Sequence, residues 1–165
     1  VLDLLAEHDI KATFFCIGNN IEKHPDIFRK VVGAGHTVAN HTFNHLNGWN
    51  TGNNKYVENI EACENVMEGN NSARLFRPPY GKIKRSQKNE VLKKGYRIVM
   101  WDVLSADFDT TITPKQCLQN VVNNTANGSI IIFHDSIKAQ ENLRHALPKA
   151  IKYLKEKGFQ FAAID

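Results

Sequence analysis

Residues 129–135 read Ser-Ile-Ile-Ile-Phe-His-Asp. The run is β-branched and aromatic and carries no charge until its end, so it reads as a short strand covered on both faces. His134 and Asp135 follow it at once. The same order recurs upstream. Residues 36–40, centred on Val38 and Ala39, precede His41 and His45. Residues 74–76 precede Arg77-Pro78-Pro79-Tyr80-Gly81, and residues 96–101 precede Asp102 and Asp107. Four strands thus run into loops carrying His, Arg, Asp and His. Residues 12–17 and 159–164 read as two further strands.

Between these runs the apolar period becomes helical. Helical stripes cover residues 1–9, 19–32, 56–67, 87–94, 114–123 and 139–157. Thr113 is placed to N-cap the fifth, with Pro114 at its first position. Pro148 can kink or divide the last. Strands separated by helices pair in parallel through right-handed crossovers. The fold class is therefore α/β, an open doubly wound sheet or a barrel. In such folds, sites are built at the C-terminal ends of strands, which is where the polar outliers fall. The chain opens on a helix and on Val1, not Met, so a first strand is expected to be absent and the sequence reads as a mature product or fragment.

The composition is that of an ordinary globular chain: 165 residues, 42% hydrophobic, 23% charged, net +4. The basic residues are dispersed. The set Lys149, Lys152, Lys155, Lys157 reads as the solvated face of a helix, so no nucleic-acid partner is expected. No apolar run reaches the ~18 residues that span a bilayer. Three cysteines, Cys16, Cys63 and Cys117, make no disulfide framework and read as buried thiols. Asn-x-Ser/Thr sequons begin at Asn40, Asn70, Asn123 and Asn127, a pattern pointing towards secretion.

Each polar cluster has a chemical reading and a plain one. His41 and His45 lie four apart; on one helical turn both imidazoles point the same way and can share a metal. They also read as two surface histidines in a polar loop. Arg77-Pro78-Pro79-Tyr80-Gly81 is either a stiff turn or a preorganised Arg with the Tyr80 N–H aimed at a ligand. His134 borders the core, either simply hydrogen-bonded there or tuned for chemistry.

Together these residues resemble the polysaccharide deacetylase family, also called the NodB-homology domain or carbohydrate esterase family 4. His41-Thr42-Phe43-Asn44-His45 is similar to the family's His-Ser/Thr-x-x-His motif, and Arg77-Pro78-Pro79-Tyr80 to its Arg-x-Pro-Tyr motif. Residues 101–108 resemble the motif ending Asp-Trp, with Phe108 in place of Trp and Leu104 where many members are acidic. Ile132-Phe133-His134 resembles Leu-x-His. The family's first motif, Thr-Phe-Asp-Asp-Gly, has no counterpart. The resemblance implies one deacetylase-like domain over residues 1–165, incomplete at its N-terminus, its parallel sheet closing as an irregular (β/α)7-type barrel. It implies a divalent metal, usually zinc, on His41 and His45, and His134 as general acid paired with Asp107. Arg77 orients the catalytic base, and the Tyr80 N–H stabilises the oxyanion. The implied partner is an acetylated polysaccharide or oligosaccharide, N- or O-acetylated, in an extracytoplasmic or cell-envelope setting. Without the first motif the chain also reads as a non-catalytic glycan-binding relative. The six residues are expected to line one cleft. Residues 12–17 are expected to keep an open edge, with residues 159–164 flanking the same gap.

Overall fold

Four short apolar runs pair side by side in parallel: β1 (Thr13–Cys16), β2 (Thr37–Asn40), β3 (Leu75–Phe76) and β4 (Arg97–Ile98), in the order β1-β2-β3-β4. The computed structural model describes residues 1–164 and divides them into two compact units. This sheet belongs to the larger, formed by Leu2, residues 4–100 and residues 162–164. The register sets Phe14 against Val38 and Asn40 against Phe76, so β2 and β3 end level. Their following loops leave the sheet side by side. As expected, β1 is an edge strand, pairing only with β2 among the described residues.

The crossovers in this unit are α2 (Gly18–Lys23), α3 (Pro25–Gly33), α4 (Asn53–Val66) and α5 (Arg85–Lys93), preceded by α1 (Leu2–Glu7). The single helix expected over residues 19–32 is two. His24 takes non-helical angles (φ −136°, ψ 57°) and Pro25 starts the second helix, because proline has no N–H to continue the first. Ile21, Val31, Val38, Cys63 and Met67 form one core cluster, and Tyr56, Ile60, Phe76, Val91 and Tyr96 a second.

The smaller unit comprises residues 101–161 with Val1 and Asp3. It holds β5 (Val103–Leu104) and β6 (Ile131–Ile132), a parallel pair, with α6 (Pro114–Val122) and α7 (Gln140–Glu156). Thr113 caps α6 as read: its hydroxyl accepts from the Gln116 N–H at 3.2 Å, and Gln116 Oε1 accepts from the Thr113 N–H at 2.8 Å. Pro148 lies within α7 without dividing it. Lys149, Lys152 and Lys155 are on its exposed side, and Ala146, Ala150, Ile151 and Leu154 are buried.

Two strand expectations are corrected. The strand read over residues 96–101 ends at Ile98, and β5 was hidden beyond it. Residues 159–164 are not a strand. Phe159 and Phe161 instead pack on the Val103, Val121, Ala150 and Leu154 cluster of the smaller unit. In the larger unit, the Ile164 N–H donates to Thr13 Oγ1 of β1 at 2.7 Å. All three cysteines are free thiols; Cys63 and Cys117 are buried, as read, while Cys16 is only half-buried. No helix among the described residues is long and apolar enough to cross a membrane.

Candidate active site

The loop after β2 is not a helical turn. Asn40, the last residue of β2, is fully buried, and its Oδ1 accepts from the Thr42 N–H at 3.0 Å. That side-chain turn competes with helix formation. It accompanies a left-handed Thr42 (φ 61°), and His45 is left-handed too (φ 55°). Thr42 is fully buried, and its hydroxyl accepts from the Leu46 N–H at 3.1 Å. Asn59 of α4 clamps the loop, accepting from the Phe43 and Asn44 N–H groups at 3.0 and 2.9 Å. The outcome is the one expected of a helix, reached differently: the His41 and His45 rings meet at 4.9 Å between centroids.

His41 Nδ1 lies 2.7 Å from the Arg77 carbonyl oxygen. A carbonyl only accepts, so Nδ1 carries the proton and Nε2 the lone pair. A backbone carbonyl fixing one ring nitrogen is the usual way a metal-binding imidazole is aimed. The pair therefore fits a zinc-type ion as two of its nitrogen ligands. Among the described residues, no group of three or more His, Cys, Asp or Glu side chains is arranged to complete such a site.

Arg77 follows β3. Its N–H donates to the Asn40 carbonyl, while Nε and one terminal nitrogen donate to the Val99 and Met100 carbonyls at 3.1 and 3.0 Å. The guanidinium also sits 3.9 Å over the Phe15 ring, and burial lowers its pKa to about 10. It therefore stays charged at neutral pH and ties β3, β4 and β1 together at one end. Tyr80 lies in the short helical turn Pro79–Gly81 in a left-handed conformation (φ 60°, ψ 7°). That costs on the order of 1–3 kcal/mol and marks a preorganised position. Its ring is exposed and stands edge-on to His45, 4.7 Å between centroids.

In the smaller unit, Asp107 and His134 follow the paired strands β5 and β6. Asp107 is fully buried and holds His134 twice. Oδ2 accepts from the His134 backbone N–H at 2.6 Å, and Oδ1 lies 2.7 Å from Nδ1. Nδ1 is again the protonated nitrogen, leaving Nε2 for chemistry. Phe108 packs edge-on to His134 at 4.9 Å. Asp102, read beside Asp107, is a brace instead: it accepts from Ser129 Oγ and the Ile130 N–H at 2.7 and 2.6 Å, which hold its carboxyl below the usual range.

Two residues that sequence reading missed stand behind these groups. Asn142 of α7 is buried and donates to the Asp107 and Asp109 carbonyls at 3.1 and 3.2 Å. Its signal was a polar residue on the stripe of Ala146 and Ala150. Glu64 of α4 gathers four donors in the larger unit. Its Oε2 accepts from Tyr96 Oη (2.9 Å), Asn71 Nδ2 (3.1 Å) and Asn40 Nδ2 (3.3 Å), and its Oε1 from Arg74 (3.3 Å). Buried Asn40 is also unavailable to glycosylation, which removes one of the four sequons.

A family model described as polysaccharide deacetylase matches residues 1–99. A peptidoglycan-N-acetylglucosamine deacetylase of Bacillus cereus is 32% identical, and the match covers 99% of this chain and 60% of that protein. Chitin deacetylase 2 of Saccharomyces cerevisiae is 34% identical over 85% of this chain and 47% of its own length. The crystal structure of a peptidoglycan N-acetylglucosamine deacetylase with 4-naphthalen-1-yl-N-oxidanyl-benzamide matches with a TM-score of 0.91 and 32% identity, covering 99% of this chain and 77% of that one. A CE4 family pseudoenzyme from Bacillus anthracis matches with a TM-score of 0.88 and 25% identity, over 99% and 57% of the two chains.

Proposed function

The chain belongs to the polysaccharide deacetylase family, and from that premise we propose that its activity is the metal-dependent hydrolysis of acetyl groups on an N-acetylated glycan such as peptidoglycan or chitin. The observation that carries this reading is the aim of His41, whose Nδ1 is committed to the Arg77 carbonyl while its ring meets His45. His41 and His45 would hold the ion. When bound, a divalent ion such as zinc supplies Lewis acidity at the acetyl carbonyl and acidifies water. The Tyr80 N–H, fixed by its left-handed backbone, would donate to the oxygen that gains charge as the carbonyl becomes tetrahedral. His134, as an imidazolium carrying protons on both ring nitrogens, would pass the Nε2 proton to the leaving nitrogen as the C–N bond breaks. Asp107 would hold the Nδ1 proton, fix the ring's orientation and balance its charge. The products are acetate and a free amino sugar. The group that takes the proton from water is expected, by family resemblance, in a Thr-Phe-Asp-Asp-Gly motif that these 165 residues do not contain. Arg77 is proposed to orient that base. Barrel closure of the strands, and an extracytoplasmic or cell-envelope location, belong to the same proposal.

The likeness to a CE4 family pseudoenzyme favours a second reading, a glycan-binding relative without turnover. Because the base is expected ahead of Val1, the test uses the full-length protein with any residues encoded upstream: incubation with N-acetylglucosamine pentamer and zinc, measuring acetate and primary amine together, separates the two. Equal release of both, lost in His41→Ala and His134→Ala, is the expected result. Pentamer binding without acetate establishes the second reading. Release that survives both substitutions overturns the assignment.

A further inference from the structure

Trp49 is 59% exposed, although burial is the rule for so large an apolar ring. It is not a loose side chain on a loose loop. The short helical turn Gly48–Asn50 is capped by Asn47, whose Oδ1 accepts from the Trp49 N–H at 3.0 Å. The Asn47 carbonyl accepts from the Asn50 N–H and the Thr51 hydroxyl at 3.1 and 2.7 Å. Gly48 is wedged beneath: its N–H donates to the Lys82 carbonyl at 3.1 Å, and its carbonyl accepts from fully buried Gln87 at 2.9 Å. A Cβ at Gly48 would lie 2.4 Å from the Lys82 oxygen. The Lys82 ammonium lies 5.1 Å from the Trp49 ring centroid. Lys82 is two residues past Tyr80, itself exposed and in ring contact with His45.

We propose that Trp49, with Lys82 at its face and Tyr80 beyond, is a sugar-stacking subsite that binds a pyranose unit of the glycan next to the one presented to His41 and His45. The pyranose ring has an apolar C–H face that lies flat on an indole, and hydroxyl or acetamido oxygens at its rim that accept from an ammonium. A rigid pedestal lowers the ordering cost of binding, which explains why a buried glutamine and a glycine are committed to holding an exposed ring. The inference rests on the glycan reading above and names how a polymer, and not a single acetylated sugar, is gripped.

The test is titration of the 165-residue protein with N-acetylglucosamine pentamer by calorimetry, for wild type, Trp49→Ala and Trp49→Phe. Thermal unfolding checks that both variants keep the fold. Trp49→Ala should weaken pentamer binding roughly 3- to 10-fold, while Trp49→Phe, which keeps a stacking face, stays within about twofold of wild type. Unchanged affinity in Trp49→Ala, with wild type binding normally, overturns the subsite and leaves the glycan reading standing. Equal loss in both variants also overturns it, since a flat ring would then not suffice. No pentamer binding by wild type overturns the subsite and the glycan reading together.

Discussion

Replacing Glu64 with leucine should destabilise the larger unit by about 2–4 kcal/mol, most of it from one orphaned hydroxyl. Four groups lose an acceptor, but not equally. Asn40 Nδ2 still reaches the Ile60 carbonyl at 2.9 Å, and Asn71 Nδ2 the Leu75 carbonyl at 3.1 Å. Each therefore loses only its longer or second bond. The Arg74–Glu64 pair is half-exposed on the arginine side, with side-chain exposures of 43% and 18%, so its loss costs less than about 1 kcal/mol. Tyr96 is different. Its residue is buried and Glu64 is the partner of its hydroxyl, so the desolvation penalty of about 1–3 kcal/mol falls there in full. For a chain of this length, each kcal/mol moves the midpoint by about 2–4 °C, which gives a fall of roughly 5–15 °C by circular dichroism. The double variant Glu64→Leu/Tyr96→Phe removes the orphan and should regain about 1 kcal/mol. A Glu64→Leu midpoint within about 2 °C of wild type, or no recovery in the double variant, would refute this apportionment.

Three further outcomes are expected. Asp107→Asn should cut acetate release by roughly 100-fold or more, because the amide has one oxygen for two donors and must turn its NH2 either to the His134 backbone N–H or to Nδ1, and it no longer balances the ring's charge; the parent rate retained would remove Asp107 from the mechanism. Stability should fall as pH rises above about 9. Burial first, then the charge of Asp107, pushes the Cys117 thiol up to about 11, so the unfolded chain releases this proton before the folded one does. The loss accrues from the unfolded value near 9 to about 11, at about 1.4 kcal/mol per pH unit, and urea unfolding should show a flatter slope in Cys117→Ala. Gly48→Ala should cost about 1–3 kcal/mol in the same assay, since its Cβ meets the Lys82 carbonyl, which is backbone and cannot swing away.

The sequence made the order of elements readable where apolar residues were dense: residues 12–17, 36–40 and 129–133 all contain observed strands. It hid β5 because Val103 and Leu104 are only two residues, bracketed by Asp102 and Ser105, and a pair has no periodicity. It suggested a strand over residues 159–164 because Phe159 and Phe161 alternate, and packing against α6 and α7 satisfies that alternation without a ladder. The His41 and His45 pairing was legible, but the helix invoked to explain it was not there; the buried Asn40 side chain imposes the turn instead. Glu64 and Asn142 were illegible for one reason. A polar residue in a helix reads as solvated unless its tertiary partners are known, and those partners lie 7 to 35 positions away.

The bond between Thr13 and Ile164 joins residues 151 positions apart. The larger unit is therefore discontinuous, with residues 101–161 lying between its two pieces. During synthesis, β1 to β4 can assemble while the ribosome is still adding residues 101–161, but this closing bond must wait until Ile164 emerges. At about 5–20 residues per second, the roughly 65 residues after β4 keep the unit unlatched for several seconds. Throughout that interval β1 lacks its tie to the C-terminal residues of its own unit, so the nascent chain, before Ile164 is available, is where loosening of β1 should be sought.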